Sequence, residues 1–370
     1  MKQNQLNSLQ TGERLFSLDF FRGFTMFLLI AEFTHLFSFL ISPSLEGSLV
    51  YNIGMQFHHH PWHGLRFWDL VQPYFMFIVG VAIPFSFASR KKRGLSQSKI
   101  LNHTLIRAFL LLFFGWALYF TGPEPGMFRF QNVLAQLSVT YLIAFLVMNK
   151  SAMTQLIISF ALLALTEVIY RFFPVEGFNH PFVANENFGT WLDLQYGGAD
   201  LTGHWVSFNA IPTTAHTIWG VLAGQLLMSK KPEMEKLKVL VIAGVAGVVL
   251  GYSLDLVTPI IKRISTSSFV VVTGGWTLLT LAFSYWLIDI KKQKKWSLFF
   301  AIVGLNPLFI YLFAHVGGAE LIGRVIHPFT LTLFGWSGEL IENILASLVV
   351  LLLMWYICYW LYRKKIFIKI

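Results

Sequence analysis

Residues 57–85, FHHHPWHGLRFWDLVQPYFMFIVGVAIPF, join a short polar segment to a long apolar run. The polar part, residues 57–66, is named the histidine loop here because it carries His58, His59, His60 and His63. Asp69 follows at the entrance of the apolar run. Ionisable groups at a membrane boundary are costly and are usually retained for a function. The chemistry of the protein is therefore expected at this junction.

The composition indicates a membrane protein. Hydrophobic residues make up 55% of the 370 residues and charged residues 12%, against about 25% charged in soluble domains. Helices are expected, because a spanning segment must satisfy its backbone polar groups internally. We predict an all-α, polytopic integral membrane bundle that forms one domain, 1–370.

A bilayer core needs about 20 apolar residues per helix, and ten runs meet this: 18–41, 66–89, 100–122, 129–148, 152–173, 207–229, 236–257, 267–289, 296–316 and 340–363. A weaker stretch, 319–335, is expected to be re-entrant or interfacial.

The loops between these runs alternate in charge. One side carries 20 lysines and arginines, including Lys2, Arg14 and Lys369, and the other carries six. By the positive-inside rule the richer side is cytoplasmic. This predicts that both termini are cytoplasmic and that the histidine loop and loop 174–206 face outside, in a bacterial inner membrane. Topology and anionic lipid explain the net charge of +10 better than nucleic acid does.

The histidine loop allows three interpretations. Adjacent histidines do not converge well on one tetrahedral ion, so no metal is expected. Interfacial packing with Trp62 and Trp68 in an aromatic belt is a second interpretation. The third is a reactive imidazole, because neutral histidine can take a proton near physiological pH. Asp69, ten residues after His59, could orient that ring.

Other polar residues lie within the apolar runs. Asp19 and Arg22 can pair at i, i+3, either as a structural ion pair or so that Arg22 holds an anionic cofactor. Glu32 and His35 have the same spacing near the outer end of the first run. Pro307 is expected to interrupt the run that contains Asn306. The single cysteine, Cys358, excludes an intrachain disulfide, and no nucleotide-binding glycine motif is present.

Several motifs in order resemble the heparan-α-glucosaminide N-acetyltransferase family and its bacterial relatives. They are RLFSLDFFRG (14–23), WHGLRFWDLVQPYFMFIVGVAIPFS (62–86), TTAHTIWGVLAGQLL (213–227), TSSFVVVTGGWTLLTLAFSYWLID (266–289) and GLNPLFIY (304–311). The resemblance implies acetyl-CoA on the cytoplasmic side and an amino-sugar acceptor on the other side. It assigns His59 as the active histidine, ahead of Trp62 and Gly64, and Asp69 as its aspartate. Three positions depart from the family pattern: Phe33 replaces an asparagine, Gln72 a phenylalanine and Gln136 an arginine.

The resemblance, together with the predicted topology, implies an acetyl-CoA-dependent N-acetyltransferase that is embedded in the lipid bilayer. His59 would act as a base or carry the acetyl group, and the sequence leaves both routes open. The residues expected to bind acetyl-CoA are Arg22, Arg90, Lys91, Arg93 and Asn306, and those expected to bind the acceptor are Glu32, His35 and Trp62. A homodimer is one assembly that the sequence allows. The alternative function is a proton-coupled transporter of a sugar or another polar solute, with Glu32, His35 and His59 as a relay.

Overall fold

The computed structural model describes residues 15–120, 129–196 and 198–368, and every regular element in these ranges is helical. The α-helices in chain order are α1 (Phe16–Glu32), α2 (Leu36–Leu40), α3 (Leu49–Met55), α4 (Val71–Lys92), α5 (Gln97–Tyr119), α6 (Val133–Val147), α7 (Ala152–Phe172), α8 (Phe188–Gln195), α9 (Ala210–Met228), α10 (Glu233–Leu254), α11 (Ser267–Ser284), α12 (Ser297–Val303), α13 (Pro307–His315), α14 (Gly318–Phe334) and α15 (Glu339–Arg363). Short 3₁₀ segments lie at Pro43–Leu45, Phe67–Leu70, Ser207–Asn209 and Gly335–Ser337, and α11 continues as a π-helix, Tyr285–Ile290.

Six helices of the described residues are long and apolar enough to cross a bilayer, and the protein is an integral membrane protein. They are Phe67–Lys92, Gln97–Tyr119, Ala152–Phe172, Glu233–Leu254, Ser267–Ile290 and Glu339–Arg363. The pair α12 and α13 gives a seventh if it is taken as one span, with a bend of 67° at the break before Pro307. The predicted interruption at Pro307 is therefore confirmed.

The ten-span topology itself stays a prediction. The remaining predicted spans fall on α1, α6 and α9, which are not among the six helices. The predicted first span breaks after Glu32, and His35 takes a left-handed conformation with φ of 62°. The weaker stretch 319–335 forms one helix, α14, with Pro328 inside it, so it does not double back. Lys2, Arg14, Lys369 and the last two residues of the predicted span 100–122 lie outside the described residues.

Polar residues between the apolar runs set the helix starts. The side chains of Ser96, Asn132 and Ser151 accept hydrogen bonds from backbone N–H groups in the first turns of α5, α6 and α7. Such caps satisfy donors that a helix cannot pair internally. Asn132 also donates through Nδ2 to the carbonyl oxygen of Gly115 at 2.6 Å, which ties α6 to α5.

The described chain forms two compact units. The first, named the terminal unit, comprises residues up to Leu36 together with Thr280 onward. The second, named the central unit, comprises Phe37–Leu279 and contains the histidine loop. That the whole chain forms a single domain stays a prediction.

Close helix contacts through glycine organise the central unit. A methyl group on Gly80 of α4 would overlap the carbonyl oxygen of Thr217 in α9, and one on Gly220 would overlap that of Phe77. Membrane helices associate through such small residues, because apolar side chains gain little by leaving lipid. This contact fixes α4, and Asp69 lies in the 3₁₀ segment Phe67–Leu70 directly before it. Much of α10, by contrast, is exposed. Of its most apolar stretch 17% is buried inside the protein, against 61% for the corresponding stretch of Phe67–Lys92.

In the terminal unit, α1 packs against α12. The Asp289 carboxylate accepts hydrogen bonds from the backbone N–H groups of Phe16 and Ser17, at 3.1 and 3.2 Å, where α1 begins. An anion at a helix N-terminus is favourable because the helix dipole is positive there. Gly23 allows the close approach, since a methyl group there would overlap the backbone of Phe300.

Replacement of Gly80 by alanine tests the glycine contact. We expect Gly80→Ala to destabilise the protein by about 1–3 kcal/mol, because the added methyl group overpacks a backbone contact. Gly323→Ala in α14 is the control, since its nearest outside atom would be Val350 Cγ2 at 3.9 Å. Thermal unfolding in detergent should show a lower midpoint for Gly80→Ala alone. Equal midpoints for both variants would contradict the packing argument.

Cysteine labelling tests the predicted topology. In a Cys358→Ser background, Glu176→Cys should react with a membrane-impermeant maleimide on intact cells, because loop 174–206 is predicted to face outside. Lys295→Cys, from a predicted cytoplasmic loop, is the control and should react only after the membrane is opened. The reverse pattern would overturn the topology.

Candidate active site

The histidine loop is held against the loop that precedes α11. Gly64 N–H donates to the Ile260 carbonyl oxygen at 2.8 Å, and His63 forms an isolated antiparallel bridge with Ile261. Gly64 has φ of 142°, and a side chain there would collide with the ring of His60. A glycine is therefore required at this turn, and the pairing brings two loops distant in sequence into contact.

His59 and Asp69 form the centre of the site. His59 Nδ1 lies 2.9 Å from Asp69 Oδ1, and the Asp69 side chain is fully buried whereas that of His59 is 30% exposed. The other carboxylate oxygen, Oδ2, accepts from the backbone N–H groups of His60 at 3.2 Å and Arg66 at 2.9 Å. The backbone of the histidine loop thus holds the Asp69 carboxylate, which in turn orients the His59 ring of the same loop. Within the described residues, His59 Nε2 has no hydrogen-bond partner, so this nitrogen can face a substrate.

Lys262 is the third charged group of the site, and the sequence reasoning did not single it out. Its Nζ lies 3.1 Å from His59 Nδ1 and 3.7 Å from Asp69 Oδ1, and the side chain is 5% exposed. Lys262 belongs to the loop before α11 and is 203 residues from His59 in sequence. The available signal was charge: Lys262 and Arg263 are two of the six basic residues on the predicted outer side.

Trp205 forms a wall of the site and was not predicted from the sequence. Its ring packs edge-on to His59, with centroids 5.3 Å apart. The Arg263 guanidinium lies 4.8 Å from the Trp205 ring centroid and Lys262 Nζ lies 5.6 Å from it. Arg263 also donates through Nη1 to the Gly203 carbonyl oxygen. Cations over an indole ring are attracted to its π face, so the end of loop 174–206 packs against both basic residues through Trp205.

Burial keeps the His59 ring neutral. Burial, and after it the nearby positive charge of Lys262, lower the pKa of His59 to about 4, although the hydrogen bond to Asp69 opposes both effects. The ring therefore carries an unprotonated nitrogen throughout the physiological pH range. Such a nitrogen can accept a proton or attack a carbonyl carbon.

The other histidines of the loop point to different partners. His58 Nε2 lies 3.1 Å from the Phe37 carbonyl oxygen, and His63 Nε2 lies 2.8 Å from Asp255 Oδ1. The ring of His60 packs against Gly64, and its buried Nδ1 has no hydrogen-bond partner among the described residues. Across the part of the chain that is described, no three His, Cys, Asp or Glu residues are placed to share a metal ion.

Trp62 positions the loop that covers the site. Its Nε1 donates to the Phe182 carbonyl oxygen at 2.8 Å, and its ring lies edge-on to His204 at 6.0 Å. These contacts attach the histidine loop to loop 174–206. The predicted contact between Trp62 and the acceptor remains a prediction.

The predicted acetyl-CoA residues of the central unit lie far from His59. Arg90, Lys91 and Arg93 occupy the C-terminal end of α4 and the residue after it. At 1.5 Å per residue, this end is about 30 Å from Asp69 along the helix. The structure does not bring these residues together with His59. Any shared substrate would have to extend along the helix.

The remaining predicted residues belong to the terminal unit. Arg22 donates to Asp19 Oδ1 through Nη2 and to the Gly304 carbonyl oxygen through Nε, both at 2.7 Å. The amide of Asn306 is buried: it donates to the Ile366 carbonyl oxygen at 3.0 Å and accepts from Ile368 N–H at 2.7 Å. Glu32 and His35 are exposed at the C-terminal end of α1 and just beyond it. Their predicted binding roles stay predictions.

Two positions that depart from the family pattern contact each other. Gln72 Nε2 donates to Gln136 Oε1 at 2.5 Å, one helical turn after Asp69. Gln136 in turn donates to the Gln131 carbonyl oxygen at 3.2 Å, and the Gln131 amide donates to Asp193 Oδ2 at 2.8 Å. The two departures therefore form one polar contact near the site.

The protonation state of His59 can be measured directly. Diethyl pyrocarbonate acylates neutral imidazole, so its rate at His59, followed by peptide mass spectrometry, reports the fraction of neutral ring. We expect this rate to be half-maximal near pH 4, the lowered pKa of His59, with free N-acetylhistidine in the same tube as the reference. A midpoint close to that of the reference would contradict the burial argument.

Comparison with known proteins gives a partial relationship. No family model matches the chain. A heparan-alpha-glucosaminide N-acetyltransferase from Mus musculus is 39% identical over 92 residues, which is 24% of this chain and 14% of that protein. The protein of the same name from Homo sapiens is 33% identical over 135 residues, 35% of this chain and 18% of that protein. The matches thus span less than a fifth of these relatives, and they relate this membrane protein to acyltransferases over part of its length.

Proposed function

We propose that this protein is a membrane acetyltransferase that moves the acetyl group of acetyl-CoA to the amine of an amino sugar, with His59 as the reacting imidazole. The observation that carries the proposal is the contact of His59 Nδ1 with the fully buried Asp69 carboxylate at 2.9 Å. It leaves His59 Nε2 as the ring nitrogen for the reaction. The partial similarity to two N-acetyltransferases supports the same reaction class.

In the direct route, the acceptor amine attacks the thioester carbonyl carbon while His59 Nε2 removes its proton. A C–N bond forms, the C–S bond breaks, and the imidazolium returns the proton to the sulfur of CoA. His59 ends neutral, as it began. Asp69 stabilises the transient imidazolium through Nδ1–H, as the carboxylate does in other histidine-based sites.

In the two-step route, His59 Nε2 itself attacks the thioester. Its C–N bond forms as the C–S bond breaks, which gives an acetyl-histidine and a CoA thiolate. The amine then attacks the acetyl carbon, the bond to His59 breaks, and the proton lost by the amine neutralises the thiolate. Both routes convert the same reactants to the same products, and both need a neutral His59 ring.

The proposal places the two substrates on opposite sides of a bacterial inner membrane. Acetyl-CoA would bind from the cytoplasm, with its phosphates near basic residues of the cytoplasmic side. The amino sugar would approach from the outside, on the side of Trp62 and of Trp205, whose ring packs against His59. The 20-to-6 charge asymmetry of the loops supports this arrangement.

Thiol release from acetyl-CoA by the purified protein, with a panel of amino sugars, tests the function. We expect His59→Ala to lower the turnover by at least about 10²–10⁴-fold, the usual contribution of acid–base catalysis. Asp69→Asn should have an intermediate effect, because it changes the orientation of the ring without removing it. His58→Ala is the matched control, since its ring contacts the Phe37 carbonyl oxygen and not Asp69.

The outcomes separate the alternatives. Normal turnover by His59→Ala, with His58→Ala inactive, would show that the wrong histidine was assigned. No thiol release by the wild-type protein with any amino sugar, together with solute uptake into sealed vesicles, would support the transporter. An inactive His59→Ala variant that remains folded and still binds acetyl-CoA would support the acetyltransferase.

A further inference from the structure

We propose that Lys262 is a positioning residue of this site, which acts through His59 by keeping the imidazole ring neutral beside the buried Asp69 carboxylate. The inference rests on the proposed role of His59 and adds a residue that the sequence did not indicate. The geometry carries it: Lys262 Nζ is closer to His59 Nδ1, at 3.1 Å, than to Asp69 Oδ1, at 3.7 Å. A purely structural ion pair would bring the ammonium closest to the carboxylate.

The placement of Lys262 has an electrostatic consequence. Protonation of His59 would put a second positive charge about 3 Å from the ammonium group in a largely buried site, where like charges repel more strongly than in water. Among the described residues, the Asp69 carboxylate contacts both groups, and its single negative charge offsets one of the two positive charges. With Lys262 in place, the neutral ring is the favoured form, and the unprotonated nitrogen required by both chemical routes is preserved.

Lys262 can also serve Nδ1 after a proton has left it. A neutral imidazole has one N–H, so Nδ1 either donates to Asp69 or accepts from a donor. Asp69 supplies the acceptor and Lys262 the donor at the same nitrogen. The ring is therefore held in one orientation in both tautomers, and the tautomer with its proton on Nδ1, facing Asp69, leaves Nε2 free to react.

The loop before α11 presents Lys262 rigidly. The Lys262 carbonyl oxygen accepts from Ser265 N–H at 2.9 Å, and Ile261 N–H donates to Thr266 Oγ1 at 3.0 Å. Ser265 takes φ of 47°, a left-handed conformation that serine rarely adopts. The neighbouring Arg263 is fixed by Asn209, whose Nδ2 donates to its carbonyl oxygen at 2.8 Å. The backbone strain at Ser265 is of the kind that proteins retain where a functional group must be held in place.

A second buried lysine shows a different use of the same residue type. Lys236 in α10 is 9% exposed, and its Nζ donates to the Leu227 carbonyl oxygen at 2.8 Å near the end of α9. This is a structural contact at a helix C-terminus, where a cation is favourable. Lys236 is therefore the matched control for Lys262: a lysine of similar burial in the same unit, without a histidine partner.

The test is the pH dependence of His59 acylation by diethyl pyrocarbonate in the full-length protein in detergent. Among the described residues, the charged or titratable groups that face His59 are Asp69 from the turn before α4, His60 and Arg66 from its own loop, and Lys262 and Arg263 from the loop before α11. Lys262→Met should raise the pH midpoint by about one unit or more, because a charge within about 4–6 Å shifts a pKa by about 1–3 units. Lys262→Arg should keep the wild-type midpoint, and so should Lys236→Met.

Further readouts make the outcome decisive. Thiol release from acetyl-CoA by Lys262→Met should show the same upward shift of its acid limb. An unchanged midpoint for His59 in Lys262→Met would overturn the role of Lys262, whether or not the protein is an acetyltransferase. An absent acetyl-CoA reaction in the wild type, with the midpoint shifted as expected, would reject the proposed function and leave the Lys262–His59 coupling standing.

A second neutral variant, Lys262→Gln, keeps the test valid if Lys262→Met misfolds, because its amide retains a hydrogen-bond donor. If Lys262→Met elutes as an aggregate in size-exclusion chromatography, Lys262→Gln replaces it in the acylation assay, with the same expected shift. If both neutral variants aggregate while Lys262→Arg stays folded, Lys262 has a structural role only and the proposal is wrong.

Discussion

A buried carboxylate at the entrance of a membrane helix is the constraint on which the site depends. Asp69 has no exposed surface, and an isolated carboxylate in such a place would be strongly destabilised. The chain compensates with two backbone N–H groups, the His59 ring and the ammonium of Lys262. Each compensating group reaches the carboxylate only if its own segment is held in place. The positions of the histidine loop and of the loop before α11 therefore both depend on contacts with the Asp69 carboxylate.

The helix packing supplies the fixed point for this arrangement. Gly80 and Gly220 bring α4 and α9 to backbone contact, so the position of α4, and with it Asp69, is set by atoms that cannot readily move. Hydrogen bonds then extend outward to Gly64, to Phe182 through Trp62, and to Gly203 through Arg263. Precise placement of reactive groups requires such rigid support, because a displacement of about 1 Å can cost a large part of the rate.

The charges of the site suit a neutral imidazole better than a cationic one. Asp69 brings one negative charge, and Lys262 and Arg263 bring two positive charges close to Trp205. Burial and the cation of Lys262 both lower the pKa of His59, and the hydrogen bond that His59 donates to Asp69 only partly offsets them. A ring in this environment is a weak base whose lone pair is always available. That property serves nucleophilic attack and also makes the protonated ring a good acid toward a departing thiolate.

The sequence alone determined the helical class and the neighbourhood of His59 and Asp69. Long apolar runs can satisfy their backbone in a bilayer only as helices, and ten residues of loop allow a histidine and an aspartate to meet. The break at Pro307 was equally local, since proline lacks the N–H that a continuous helix needs. The number of spans depends on more than the apolar runs, because a run such as 129–148 forms a helix of only 15 residues. Lys262 and Trp205 could not be found in this way. They reach His59 from loops 203 and 146 residues further along the chain, and only the tertiary packing of α4, α9 and α11 decides which distant loops meet at a buried charge.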